Sequence, residues 1–253
     1  MNEPQITQQH TSPTERYVFL DTLRGFTMLS MILYHLLWDL VYIADIPIPW
    51  YHSTGAYIWQ QSICQTFILL SGFCWSFGRR PLKRGLMVFW AGGLITMVTM
   101  LLMPENQVLF GVLTLIGSCM LLMIPIDSIL KKLNNQAVLI LLTATSMLIF
   151  LLLHPAWNGY PKLSSGNLFT AYLGFPATDF YSTDYFPLLP WFLLFITGYL
   201  LHKLSVRYGL LKISFLKKNF LPPLTSIGRH SLIIYMLHQP ILYGITTLIT
   251  FLN

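Results

Sequence analysis

Seven apolar stretches of ~20 residues or more run through this chain, and they restrict it to one kind of fold. They lie near 17–43, 55–78, 85–103, 108–130, 136–154, 186–204 and 226–252. A helix of that length crosses a hydrocarbon core of roughly 30 Å. In that medium every backbone polar group has to be satisfied inside the segment, and no stretch alternates as a barrel strand does. The expectation is an all-α polytopic membrane helix bundle with about seven transmembrane helices. A single domain would cover 17–253, after a loose polar cytoplasmic tail at 1–16. The segment 155–185, long and rich in aromatics, Pro and Gly, leaves room for one extra short or re-entrant helix.

Charge supports the same class. Only 9% of residues are charged and 55% are hydrophobic, against about 25% charged in an ordinary soluble domain. Such a chain is too apolar to be disordered. Its net charge of +6 sits in short clusters between apolar runs, with no reading helix or RNA motif, so nucleic acid is not the expected partner. Cys64, Cys74 and Cys119 all lie in apolar runs and form no disulfide framework. No metal motif and no phosphate-binding glycine loop occurs, and the N-terminus lacks the pattern of a cleaved leader. The loops are asymmetric. Arg79, Arg80, Lys83, Arg84, Lys131, Lys132, Lys203, Arg207, Lys212, Lys217 and Lys218 follow alternate spans, while the other loops hold only Lys162. By the positive-inside rule the N-terminus is cytoplasmic and the C-terminus extracytoplasmic. Trp50, Tyr51, Trp59, Trp157, Tyr160 and Tyr181 then lie at the outer interface, where an aromatic belt accounts for most of them and sugar stacking is the alternative for one or two.

The first span carries Asp21, Arg24, His35 and Asp39. At 100° per residue these four fall within an arc of roughly 60°. Ionisable groups on one stripe of a membrane helix face the protein interior or a wet cavity. The spacing lets Asp21 meet Arg24 and lets His35 meet Asp39, which would orient the ring and raise its basicity. Each residue has a plainer reading as well. Arg24 can snorkel to lipid phosphates, His35 can bond a neighbouring helix, and Asp39 can face outer water. In the last span Ser231, Tyr235 and His238 share a face next to Pro240, which removes a backbone donor and loosens the helix. That face suits a substrate cavity or an interhelical bond. His154 reads as a helix end, and Asp184 as a helix cap or a group that orients a histidine or binds an amino sugar.

Three motifs carry a family resemblance. They are Leu20-Asp21-Thr22-Leu23-Arg24-Gly25 followed after ten residues by His35, then Asp184-Tyr185-Phe186-Pro187-Leu188-Leu189-Pro190-Trp191, then Gly228-Arg229-His230-Ser231 through Tyr235, His238 and Pro240. The first resembles the R-x10-H opening helix of membrane-bound acyltransferases. In this order they resemble the bacterial heparan-α-glucosaminide N-acetyltransferase-like family over nearly the whole chain. The resemblance implies an acetyl-CoA-dependent enzyme in a bacterial cytoplasmic membrane, using acetyl-CoA as co-substrate with no permanently bound cofactor. Its acceptor would be a hydroxyl or amine of an extracytoplasmic saccharide or glycolipid. It also implies that His35 and Arg24 line the reaction centre, with His52 in the loop where the lysosomal relative has its catalytic histidine. Phe110-Gly111-Val112-Leu113-Thr114 stands where bacterial members usually read F-G-I-L-H, so Thr114 replaces a titratable group.

Taken together, the expected catalytic residues are His35, Asp39, His52 and His238, and the expected substrate-binding residues are Asp21, Arg24, Asp184 and Tyr235. Arg79, Arg80 and Arg84 can hold the CoA phosphates by charge, although the positive-inside rule accounts for them equally well. The rival class is a transporter or flippase for a polar lipid or glycan, disfavoured by the missing internal repeat. Membrane lipids are the surrounding partner, and a homo-oligomer is left open.

Overall fold

The computed structural model describes residues 16–133, 135–154 and 159–252. Most of the N-terminal tail, Pro155 and Trp157 lie outside the described residues. The helices are α1 (Val18–Tyr42), α2 (Thr54–Trp75), α3 (Pro81–Leu102), α4 (Val112–Leu130), α5 (Gln136–Leu153), α6 (Leu168–Leu173), α7 (Leu188–Arg207), α8 (Pro222–Arg229) and α9 (Ser231–Leu252). Among the described residues there is no strand, only an isolated bridge between Leu163 and Ala177.

Six of these helices are long and apolar enough to cross a membrane. The exception among the seven long ones is α2, whose first turns carry Gln60, Gln61, Ser62, Gln65 and Thr66. It has the length, and it packs along α7: a Cβ on Gly72 would lie 2.0 Å from the Phe195 carbonyl oxygen, and one on Gly198 2.1 Å from that of Leu69. A helix that close to a spanning neighbour shares its depth. Of its polar side chains, Gln61 bonds His154 of the neighbouring helix end and Gln60, Gln65 and Thr66 are half-buried, while Ser62 is exposed and bonds the Trp59 carbonyl of its own helix.

Small residues set the other contacts. α3 and α4 form an antiparallel pair in which Gly92 lies against Thr114, Phe89 against Gly117 and Gly85 against Leu121, the close packing that small residues permit between membrane helices. α5 and α7 are antiparallel, tied by Ser146 and Thr197 at 2.8 Å and by Phe150 against Trp191. α4 is central, with every residue from Val112 to Met120 buried. The periphery is the reverse of a soluble surface. Trp90, Leu101, Leu152 and Phe251 are 68–85% exposed, as expected where acyl chains replace water.

Two sequence expectations change. The last span is not continuous from 226. It breaks at His230, and the short helix α8 lies against the start of α1. The reason is close backbone packing: a Cβ on Gly25 would fall 1.9 Å from the Leu224 carbonyl oxygen, and one on Gly228 1.8 Å from that of Asp21. Thr22 and Thr225 hydroxyls bond at 2.8 Å in the same seam. The segment before α7 does contain an extra short helix, α6, with a capping box formed by Asn167 and Thr170.

Candidate functional site

α1 and α9 run side by side in the same direction and bring two histidines together. The His35 and His238 rings lie 4.9 Å apart, edge to face. His238 Nδ1 is 2.6 Å from the Tyr235 carbonyl oxygen. A carbonyl can only accept, so Nδ1 carries the proton and Nε2 keeps its lone pair. Pro240 sits two residues further on, inside α9.

The expected His35–Asp39 pair does not form. Asp39 is fully buried and accepts a 2.7 Å bond from Gln239 Nε2, which fixes the carboxylate to α9 instead. Three buried atoms at this point have no partner among the described residues: Asp39 Oδ2, Gln239 Oε1 and His238 Nε2. With a carboxylate at Asp39, all three are acceptors. Buried polar atoms are nearly always hydrogen-bonded, so this cluster is suited to a donor group, a hydroxyl or an amine.

Two cavities meet there. The larger, about 560 Å³, lies between α3, the start of α4 and α9, and is mostly aliphatic. The smaller, about 380 Å³, is an aromatic and polar vestibule that includes Trp38, Tyr42, Tyr51, His52 and Gln60. His35, Asp184, Gln239 and Thr99 line both. Tyr235 and His238 line the first, while His52 is an exposed residue in the rim of the second. Burial, together with its bond to Tyr34, raises the Tyr51 hydroxyl well above its ordinary value, so it remains a donor.

Asp184 is held by the motif around it. Its Oδ2 accepts from the Val112 backbone N–H at 3.4 Å, at the first turn of α4, where a negative charge is favoured. A Cβ on Gly111 would lie 2.9 Å from that same oxygen. Phe186 N–H to Phe110 carbonyl and Ser182 bonds to Leu109 zip this segment to residues 107–112. Phe110 pays for the sharp path with φ +56°. Thr114, one helical turn on, packs against Gly92 and lines neither cavity.

Burial pushes the Asp184 carboxyl up from 3.8 to about 6, partly offset by the Val112 N–H. The folded chain therefore binds this proton more tightly than the unfolded chain does. The resulting stabilisation is complete below pH ~3.8 and is lost as pH rises through about 6. Asp184→Asn keeps the cap and removes the titration. Its melting temperature relative to the parent should rise between pH 5 and pH 8, and a gap independent of pH would contradict this placement.

At the opposite end, Asp21 gathers arginines: Arg16 at 2.8 Å, Arg24 at 3.3 Å and Arg229 at 3.6 Å. The i, i+3 pair with Arg24 is the one expected from spacing. Arg24 also lies within electrostatic reach of Arg84 of α3. Arg84 turns inward over Gly78, and its buried Nη1 has no partner among the described residues. Arg79 and Arg80 are exposed. Of the three arginines expected at the donor phosphates, only Arg84 thus joins the buried end of Arg24.

Gln239 and Thr99 escaped sequence reasoning, since neither is ionisable. His202, buried against Phe73 and Phe77, and Asp127, bonded by Tyr199 and Lys131, also went unmarked. His154 caps the end of α5 and bonds Gln61 at 3.1 Å.

The chain is thus a polytopic helical membrane protein in which α1 and α9 bring His35 and His238 together where two cavities meet. It belongs to the heparan-alpha-glucosaminide N-acetyltransferase catalytic family, whose model matches residues 16–240, and so to a family of membrane acetyltransferases. No curated protein and no solved structure matches it.

Proposed function

We propose that the protein transfers an acetyl group from cytoplasmic acetyl-CoA to a hydroxyl or amine of an extracytoplasmic saccharide. The observation that carries this reading is the acceptor-only cluster of Asp39, Gln239 and His238 beside His35, where two cavities meet. An acyl thioester is already activated, so the protein's task is to take a proton from the acceptor and stabilise an oxyanion. His35 or the free Nε2 of His238 removes the proton as the acceptor attacks the thioester carbonyl. The tetrahedral intermediate collapses, the C–S bond breaks, and the CoA thiolate leaves with that proton. Asp39 and Gln239 hold the acceptor group, and Asp184 and Tyr235 line the approach. Arg24, aimed by Asp21, and Arg84 meet the polar part of the donor, while Arg79 and Arg80 add surface charge for its phosphates.

This reading sets the basic loops and N-terminus in the cytoplasm of a bacterial inner membrane, and the C-terminus outside. A reporter enzyme fused after Asn253 should be active only outside; activity in the cytoplasm would reverse the parity of the spans.

The donor is tested directly. Purified protein should release CoA thiol from acetyl-CoA, and Arg24→Lys, which keeps the charge and loses the planar fork, should weaken acetyl-CoA binding measured by calorimetry. Failure of the parent to bind or consume acetyl-CoA would overturn the reading.

A further inference from the structure

The aliphatic cavity is larger than the polar one, and beyond the shared residues its polar groups all come from α9, in Tyr235, His238 and Tyr243, while its α3 and α4 walls are aliphatic. Small sugars have no use for such a space. It also opens sideways. α3 and α9 touch only sparsely. Leu94 and Val98 of α3 and Leu237 of α9 line the cavity and are 46%, 40% and 51% exposed, so neither helix seals it against the other. A gap between two membrane-spanning helices faces the acyl chains around them. The opening is in the half of the bundle away from the basic loops, since its walls come from the end of α3, the start of α4 and the middle of α9. At its inner end it reaches His35, Asp184 and Gln239, which also line the vestibule.

We infer that the acyl acceptor is a saccharide carried on a long alkyl or isoprenoid chain. The chain lies in the cleft between α3 and α9, the sugar occupies the vestibule among Trp38, Tyr42 and Tyr51, and the junction passes His35. The inference rests on the acyl-transfer reading for its chemistry, but its binding geometry stands separately. Lipid tails are as apolar as the cleft walls, so the cleft adds little affinity over the bilayer. What it provides is a lateral route at fixed depth, which delivers the headgroup to the histidine pair from within the membrane plane.

The test is photo-crosslinking in liposomes with an alkyl glucosaminide that carries a diazirine midway along its chain. Labelling mapped by mass spectrometry should concentrate on Val98 and Leu237. An unlabelled alkyl glucosaminide should compete it away, and the alcohol of the same chain length should not. Val98→Trp should lower labelling at Leu237 several-fold. Labelling spread equally over Leu152 of α5, or competed equally by the sugar-free alcohol, would mean that ordinary lipid fills the cleft and would overturn the inference. A parallel acetyl-transfer assay with free glucosamine separates the two readings. Transfer to the free sugar with no sugar-dependent labelling removes only the lipid-linked acceptor. Sugar-dependent labelling with no acetyl-CoA consumption removes the acyl-transfer reading and leaves the amphiphile site standing.

Discussion

His35→Ala lowers acetyl transfer by roughly 10²–10⁴-fold, the range expected for loss of a positioned base, while the bundle stays folded. Among the described residues the His35 side chain makes no hydrogen bond. It meets the rings of Tyr34 and His238 and lines both cavities, so its removal enlarges the site rather than unseating a helix. His238→Ala is the informative companion. Its Nε2 is free to take a proton, and its Nδ1 is committed to the Tyr235 carbonyl. If the two rings act as one unit, the double mutant is little worse than the more damaging single mutant, because effects within a unit do not add. Turnover rates by thiol release, with melting temperature as the folding control, decide this. Near-parental turnover in His35→Ala would make His35 a wall of the cavity and shift attention to His238 or His52.

Gly228→Ala is expected to be the most damaging single-methyl change in the chain. Its Cβ would lie 1.8 Å from the Asp21 carbonyl oxygen and 3.0 Å from the Gly25 backbone nitrogen. Both obstacles are backbone, so no side chain can swing aside. Overpacking a well-packed interior costs about 1–3 kcal/mol and occasionally more, and here α8 must separate from α1. A drop of roughly 6–12 °C in melting temperature follows for a protein of this size at the upper end of that cost. The seam also holds Arg229 against Asp21 at 3.6 Å, so Arg24 loses its aim and acetyl-CoA binding weakens with it. Gly244→Ala in α9 is the control, since nothing lies within 4 Å of its Cβ position. It should leave melting unchanged or raise it slightly. Equal melting temperatures for Gly228→Ala and the parent would show that α8 is not seated on α1 in solution.

Local signals read correctly from sequence where the partner lies on the same helix. α1 and α5 begin and end within a residue of their apolar runs, whereas α3 starts at Pro81 rather than 85 and α4 at Val112 rather than 108, and Asp21 meets Arg24 because i, i+3 neighbours share a face. Asp39 is the counter-example. Its spacing favoured His35, yet an amide 200 residues away in sequence holds it, because α9 runs parallel to α1 and presents Gln239 at that level. No rule of spacing within one helix contains that contact. The break at His230 left a mark in the sequence, the polar run Gly228-Arg229-His230-Ser231 inside the span placed at 226–252, but the approach of Gly25 to Gly228 that seats α8 on α1 joins segments far apart in the chain. The motif residues make sense as seams. Gly25 and Gly228 join the two chain ends, and Gly111 leaves room for the Asp184 carboxylate. The large aliphatic cleft had no signature at all, since its leucines and valines look like any other lipid-facing residues.

Sidedness tests the central claim most directly. The purified protein is reconstituted in sealed liposomes of known orientation, with labelled acetyl-CoA on the side of the basic loops and an alkyl glucosaminide confined to the opposite leaflet. Labelled acetyl-saccharide should appear with donor and acceptor on opposite faces, and His35→Ala should suppress it. Transfer that requires donor and acceptor on the same face, or that persists in His35→Ala at the parental rate, would contradict a reaction centre at the histidine pair reached from both sides of the membrane.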